Sequence, residues 1–154
     1  MELGRLFFGF SGRVNRRKYW LAWLAFIAIY IVLGIFSLLT ESVAVQALSS
    51  MISIVIFISS IAVGAKRLHD RNKTGWYLLL FYIAPGILFA AGMVLGMSQE
   101  GSNIVATVLW LIAFAITIWA FIELGCLRGT IGGNAYGADP LAPDVLTPPV
   151  RTQY

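Results

Sequence analysis

Four stretches of about twenty residues, at 19–39, 43–65, 76–97 and 104–124, carry almost no charge and read as nearly continuous apolar sequence. A hydrocarbon core of about 30 Å is crossed by roughly 20 helical residues, and each stretch is long enough. Strands that cross as a barrel alternate apolar and polar side chains, and these stretches do not alternate. Inside lipid every backbone N–H and C=O needs a partner within its own segment, which makes each stretch a helix. Composition agrees. The chain is 59% hydrophobic and 12% charged, half the charged share of an ordinary soluble domain at about 25%. The expected fold class is an all-α membrane protein with four transmembrane helices in two antiparallel hairpins. A short amphipathic segment at 1–18 precedes the membrane domain at 19–127, and a Gly/Pro-rich tail occupies 128–154.

The eleven Lys and Arg residues fall on one side of these crossings. Arg5, Arg13, Arg16, Arg17 and Lys18 precede the first span; Lys66, Arg67, Arg71 and Lys73 lie between spans two and three; Arg128 and Arg151 follow the fourth. The connections around Glu41 and Glu100 hold none. Basic flanks stay on the cytoplasmic side, so both termini and the central loop are expected there, in a multi-pass plasma-membrane protein. No cleaved signal peptide is expected, because the first apolar run is too long and no small-x-small site follows it. Cys126 is the lone cysteine, so no intramolecular disulfide forms. The net charge of +4 reflects this orientation and meets anionic headgroups rather than nucleic acid.

Local patterns refine the spans. Leu3, Leu6, Phe7 and Phe10 recur at helical spacing, which suits a short helix lying in the interface or against the bundle. Residues 11–15 read as a turn, and Tyr19, Trp20 and Trp23 as an aromatic belt where the first span begins. Span two carries Ser49, Ser53, Ser59, Ser60 and Gly64, which allow close helix packing. Pro85-Gly86 predicts a kink in span three. Gly92 and Gly96 form a GxxxG pair, assigned to a contact within the chain. Glu123 near the end of span four is read as an interfacial ion pair with Arg128. The two halves echo one another weakly, Asn15 to Trp20 against Asn72 to Trp76. The Pro-rich end of the tail is expected to be extended or disordered.

The central loop, residues 66–76, is denser in functional groups than a linker needs. Continuing span two through it as a helix puts Arg67 and Asp70, or Arg67 and Arg71, on one face. Asp70 then holds an arginine while His69 and the remaining cations face a ligand, and Gly75 ends the helix. A His-Asp dipeptide occurs in metal-dependent phosphohydrolases, but one histidine in the whole chain rules out a His-rich zinc site within one molecule. No nucleophile–base motif is present. The segment 129–140 is glycine-rich but has neither the Gly-Lys-Ser/Thr ending nor the preceding strand of a phosphate-binding loop.

Three segments carry a family resemblance: Phe10-Ser11-Gly12-Arg13 with Asn15-Arg16-Arg17-Lys18-Tyr19-Trp20, Arg67-Leu68-His69-Asp70 with Thr74-Gly75-Trp76, and Gly133-Asn134-Ala135-Tyr136-Gly137-Ala138-Asp139-Pro140. Their order and spacing over about residues 7–140 resemble the domain of unknown function 805 family of small bacterial inner-membrane proteins. Lys66 stands where members often have a second arginine, and Ala135 where a basic residue is common. The resemblance implies a bacterial inner-membrane location and brings no activity, substrate or catalytic residue.

Three functions compete. The first is a non-enzymatic module whose cytoplasmic polar site binds a partner protein or anionic headgroups. Its candidate residues are Arg13, Arg16, Arg67, His69, Asp70 and Arg71, with Asn134, Tyr136 and Asp139 from the tail. The second is an enzyme on a membrane-borne phosphate or lipid, with Arg13, Arg67 and Arg71 clamping the anion and His69 as acid/base. The third is a small transporter or oligomeric channel, for which only Pro85-Gly86 and the serines of span two speak. No cofactor and no metal is expected. The bilayer itself, a protein partner or a second copy of the chain are the expected associations.

Overall fold

The computed structural model describes residues 3–40, 42–97 and 103–142. The expectations for the turns at Glu41 and Glu100 and for the proline-rich end beyond residue 142 lie outside them. Among the described residues the chain forms five α-helices: α1 (Leu3–Phe8), α2 (Arg16–Leu39), α3 (Val43–Asp70), α4 (Ala84–Met97) and α5 (Asn103–Phe121). Two π-helical turns interrupt the series, Leu79–Ile83 before α4 and Ile122–Cys126 after α5. Four continuous helical runs have the length and hydropathy to cross a membrane: α2, α3, Leu79–Met97 and Ile104–Cys126.

Helix boundaries follow local chemistry. The Asn15 side chain accepts from the Lys18 amide at 2.9 Å, so α2 begins at Arg16, three residues ahead of the expected start. An asparagine oxygen satisfies one of the amides left orphaned at a helix start. The second span runs through the basic loop and ends at Asp70, five residues beyond the expected boundary. Its terminator is Asn72 rather than Gly75. Asn72 has φ +56°, Asn72 N–H bonds the His69 carbonyl at 2.9 Å, and Lys73 N–H reaches back to the Leu68 carbonyl at 2.9 Å. That pair of bonds is the Schellman closure, and asparagine tolerates the left-handed conformation it requires. The echo between Asn15 and Asn72 is therefore one of position: the first starts a helix and the second ends one.

In lipid, helix association rests on close packing and hydrogen bonds rather than on water exclusion. Helix α2 packs on α3, and α4 on α5; the two pairs meet through the second π-turn, Ile122–Cys126. Gly92 lies against the Trp110 ring, and a Cβ added to Gly96 would stand 3.7 Å from that of Ala106, so the GxxxG pair faces α5. Gly64 gives Leu78 room in the same way. Pro85 has no N–H to offer the preceding turn. The chain meets this with a π-turn directly upstream, where Ala84 N–H bonds the Leu79 carbonyl. Helix α1 packs on α3, and its Leu6 and Phe7 pack against the core, with the Phe7 ring 5.7 Å from Phe26 of α2. Leu3 and Phe10 do not join this face; both are exposed, and Phe10 lies outside the helix.

Candidate functional site at the polar end

The segment before α2, the end of α3 and the segment after α5 converge at one end of the bundle. Backbone bonds tie them: Val14 N–H to the Lys66 carbonyl at 3.2 Å, and Thr130 N–H to the Asp70 carbonyl at 2.8 Å. At the centre sits Asp70, between two buried arginines. Its Oδ1 accepts from Arg13 at 3.1 Å and its Oδ2 from Arg67 at 2.5 Å. Arg13 is 4% exposed, Arg67 0% and Asp70 3%. Charges this deep are retained only when paired and fully hydrogen-bonded.

The remaining donors of both arginines go to backbone carbonyls. Arg13 donates to Gly132 at 2.6 Å, Gly137 at 3.2 Å and Thr130 at 2.6 Å. Arg67 donates to Leu124 at 2.7 Å and to Leu127. These belong to a wider pattern. Five successive carbonyls, from Leu124 to Arg128, each accept from a side chain on α2 or α3 or at the end of α3. The donors are Arg67 to Leu124, Trp20 to Gly125, Arg16 to Cys126, Arg67 to Leu127 and Arg71 to Arg128. A helix end leaves its last carbonyls without partners and carries partial negative charge, so arginines are well matched to it. The π-turn Ile122–Cys126 lies in this stretch, and Trp20 seats on Gly125 with no room for a Cβ.

Lys66 repeats the device on α1: its ammonium, 0% exposed, donates to the carbonyls of Arg5 at 2.7 Å and of Leu6. Glu123 is buried and pairs with Arg71 and Lys73, both at 2.9 Å, so its partners are these cations and not Arg128. The two side chains leave the end of α3 on the side where α5 finishes, which brings them closer than a residue five positions down the chain. His69 Nδ1 lies 3.3 Å from the Gly12 carbonyl, and its ring stacks on Tyr136 at 4.0 Å and 5°. Asn134 donates to the His69 carbonyl at 2.8 Å and to Thr130 Oγ1 at 2.7 Å, and its Oδ1 accepts from Tyr136 N–H. Asp139 accepts from Gly132 and Leu141 N–H, both at 2.9 Å, and these two amides hold its carboxyl below the usual range.

All nine candidate residues thus lie at one end, and seven form one connected network: Arg13, Arg67, Asp70, His69, Asn134 and Tyr136, with Asp139 joined through Gly132. Arg16 and Arg71 stand beside it on the α5 end. Among the described residues no buried side-chain nitrogen or oxygen lacks a partner, and no three His, Cys, Asp or Glu side chains gather. Sequence reasoning missed Lys66, Trp20, Thr130 and Gly129. A Cβ at Gly129 would stand 2.0 Å from Asp70 Oδ2, so the clasp requires glycine there. The signal for it was an unexplained glycine; for the others the partner is a main-chain carbonyl, which no letter of the sequence marks.

The model of the family described as "Protein of unknown function (DUF805)" matches residues 7–138. The chain belongs to this family. Similar DUF805 proteins of Escherichia coli K12 include the inner membrane protein YhaH, 31% identical over 86% of this chain and 87% of its own. The inner membrane protein YhaI is 27% identical over 86% of each chain, and the uncharacterized protein YiiR is 30% identical over 90% of each. No solved structure matches the chain. With four membrane-length apolar helices and inner-membrane relatives, this DUF805 chain is a multi-pass inner-membrane protein. The DUF805 match starts just before Arg13 and stops just short of Asp139, so it spans eight of the nine candidate residues.

Proposed function

We propose that this protein is a non-enzymatic inner-membrane module whose polar end and both termini lie in the cytoplasm, where its basic rim meets the anionic headgroups of that leaflet. The observation that carries this reading is a division among the cations. Arg13, Lys66 and Arg67 are buried and held by the protein's own groups, whereas Arg5, Arg16, Arg17 and Arg128 stand exposed around the same end. The buried set supports a structural clasp. The exposed set supports the orientation, because basic flanks are retained in the cytoplasm, and each cation near an anionic leaflet contributes about 1 kcal/mol. Exposed apolar side chains at this end, among them Phe8, Phe10, Trp76 and Ile131, suit a headgroup boundary.

A fluorescent reporter fused after Tyr154 should be active in the cytoplasm, and alkaline phosphatase at the same point should be inactive. The purified chain should melt several degrees higher in phosphatidylglycerol vesicles than in phosphatidylcholine vesicles of the same acyl length, and salt should narrow the gap. An active phosphatase fusion overturns the orientation, and equal melting at low salt overturns headgroup binding.

A further inference from the structure

A groove of about 560 Å³ opens beside the start of α2, lined by Asn15, Arg16, Arg17, Lys18, Leu21 and Leu141. Arg16 is fixed at its edge by the 2.8 Å bond to the Cys126 carbonyl. Arg17 and Lys18 make no side-chain hydrogen bond or ion pair with any described residue, although Lys73 holds an ion pair at the same end. The Lys18 amide is already capped by Asn15, and the three side-chain cations add their own charge to the start of α2. Asp139, in the neighbouring cleft, is engaged by two backbone amides.

Below the cations the same face of α2 turns apolar. Leu21 and Leu24 are each 57% exposed, and Ala28 continues the line. At 1.5 Å per residue, Leu21 lies about 6 Å and Leu24 about 10 Å below Arg17 along the helix. Positive charge above and an apolar ladder beneath match the order of a phospholipid, phosphate first and acyl chain below. Leu141 closes the groove from the tail, so the tail forms one wall.

We infer that this groove is a binding site for one anionic glycerophospholipid, its phosphate among Arg16, Arg17 and Lys18 and an acyl chain along Leu21 and Leu24. The inference rests on the proposed contact between the polar end and anionic headgroups, and adds a defined site to it.

The test is native mass spectrometry of the full chain released from detergent with phosphatidylglycerol or phosphatidylcholine of identical acyl chains. The unaltered protein should retain one phosphatidylglycerol in preference to phosphatidylcholine. Arg17→Gln with Lys18→Gln should weaken that adduct roughly thirtyfold, at about 1 kcal/mol for each cation. Arg5→Gln with Arg128→Gln removes the same charge elsewhere on the rim and should leave it within about threefold; no side chain of either pair makes a hydrogen bond or ion pair with a described residue, so the melting temperature in phosphatidylcholine should stay unchanged for both. Millimolar inorganic phosphate should not displace the lipid, since it lacks the acyl chain. Equal loss in the two pairs, or displacement by phosphate, overturns the site while headgroup binding stands. No preference for phosphatidylglycerol in the unaltered chain overturns both.

Discussion

Asp70 is the residue on which the polar end depends. It pairs with Arg13 from the N-terminal segment and Arg67 from its own helix, three residues away, and its backbone carbonyl holds Thr130 of the tail. Removing one partner from a buried pair leaves an uncompensated charge and typically costs about 3–5 kcal/mol. Asp70→Asn leaves two buried arginines with no carboxylate between them, so thermal melting in detergent should fall by many degrees, and protease should cut the tail near Arg128. An Asp70→Asn protein that melts with the unaltered one would show that the carbonyl bonds alone hold the end. The pairing of Arg67 with Asp70 was legible from their spacing, because a helix places i and i+3 on one face. Arg13, 57 residues away from Asp70, was legible as a candidate but not as its partner, since nothing in the spacing links them.

At the scale of the elements, the four spans were plain in the sequence because lipid imposes both their length and their helicity. Their ends were less so. Helix α3 overruns its hydrophobic stretch because Lys66, Arg67 and Asp70 are satisfied by partners brought from α1, the π-turn after α5 and the first segment, and hydropathy does not see partners. The π-turns were invisible for the same reason: one relieves Pro85, and the other lies where carbonyls are capped from outside the helix. The terminator of α3 gives a prediction of sign. Asn72 sits in the left-handed region, where a β-carbon costs about 1–2 kcal/mol and glycine costs nothing sterically. Asn72→Ala should lower the melting temperature, and Asn72→Gly should keep or raise it. If both lowered it equally, side-chain bonding rather than backbone conformation would be what asparagine supplies.

Across the whole molecule, basic side chains close the ends of helices, a role that charge counting does not reveal. Except for Lys66, which reaches back to α1, these donors lie early in the chain and their acceptors late. Arg67 precedes Leu124 by 57 residues, and Arg13 precedes Thr130 by 117. At a synthesis rate of about 5–20 residues per second, Arg67 waits roughly 3–11 seconds and Arg13 roughly 6–23 seconds for those carbonyls. A chain ended after Glu123 should therefore fail to accumulate in the membrane and be degraded, while one ended after Ala142 keeps every acceptor and should accumulate normally; pulse-chase labelling separates the two. Until ribosomes deliver the last helix the N-terminal half is an open claim on it, and the unfinished protein differs chemically from the finished one in a way that a membrane protease can read.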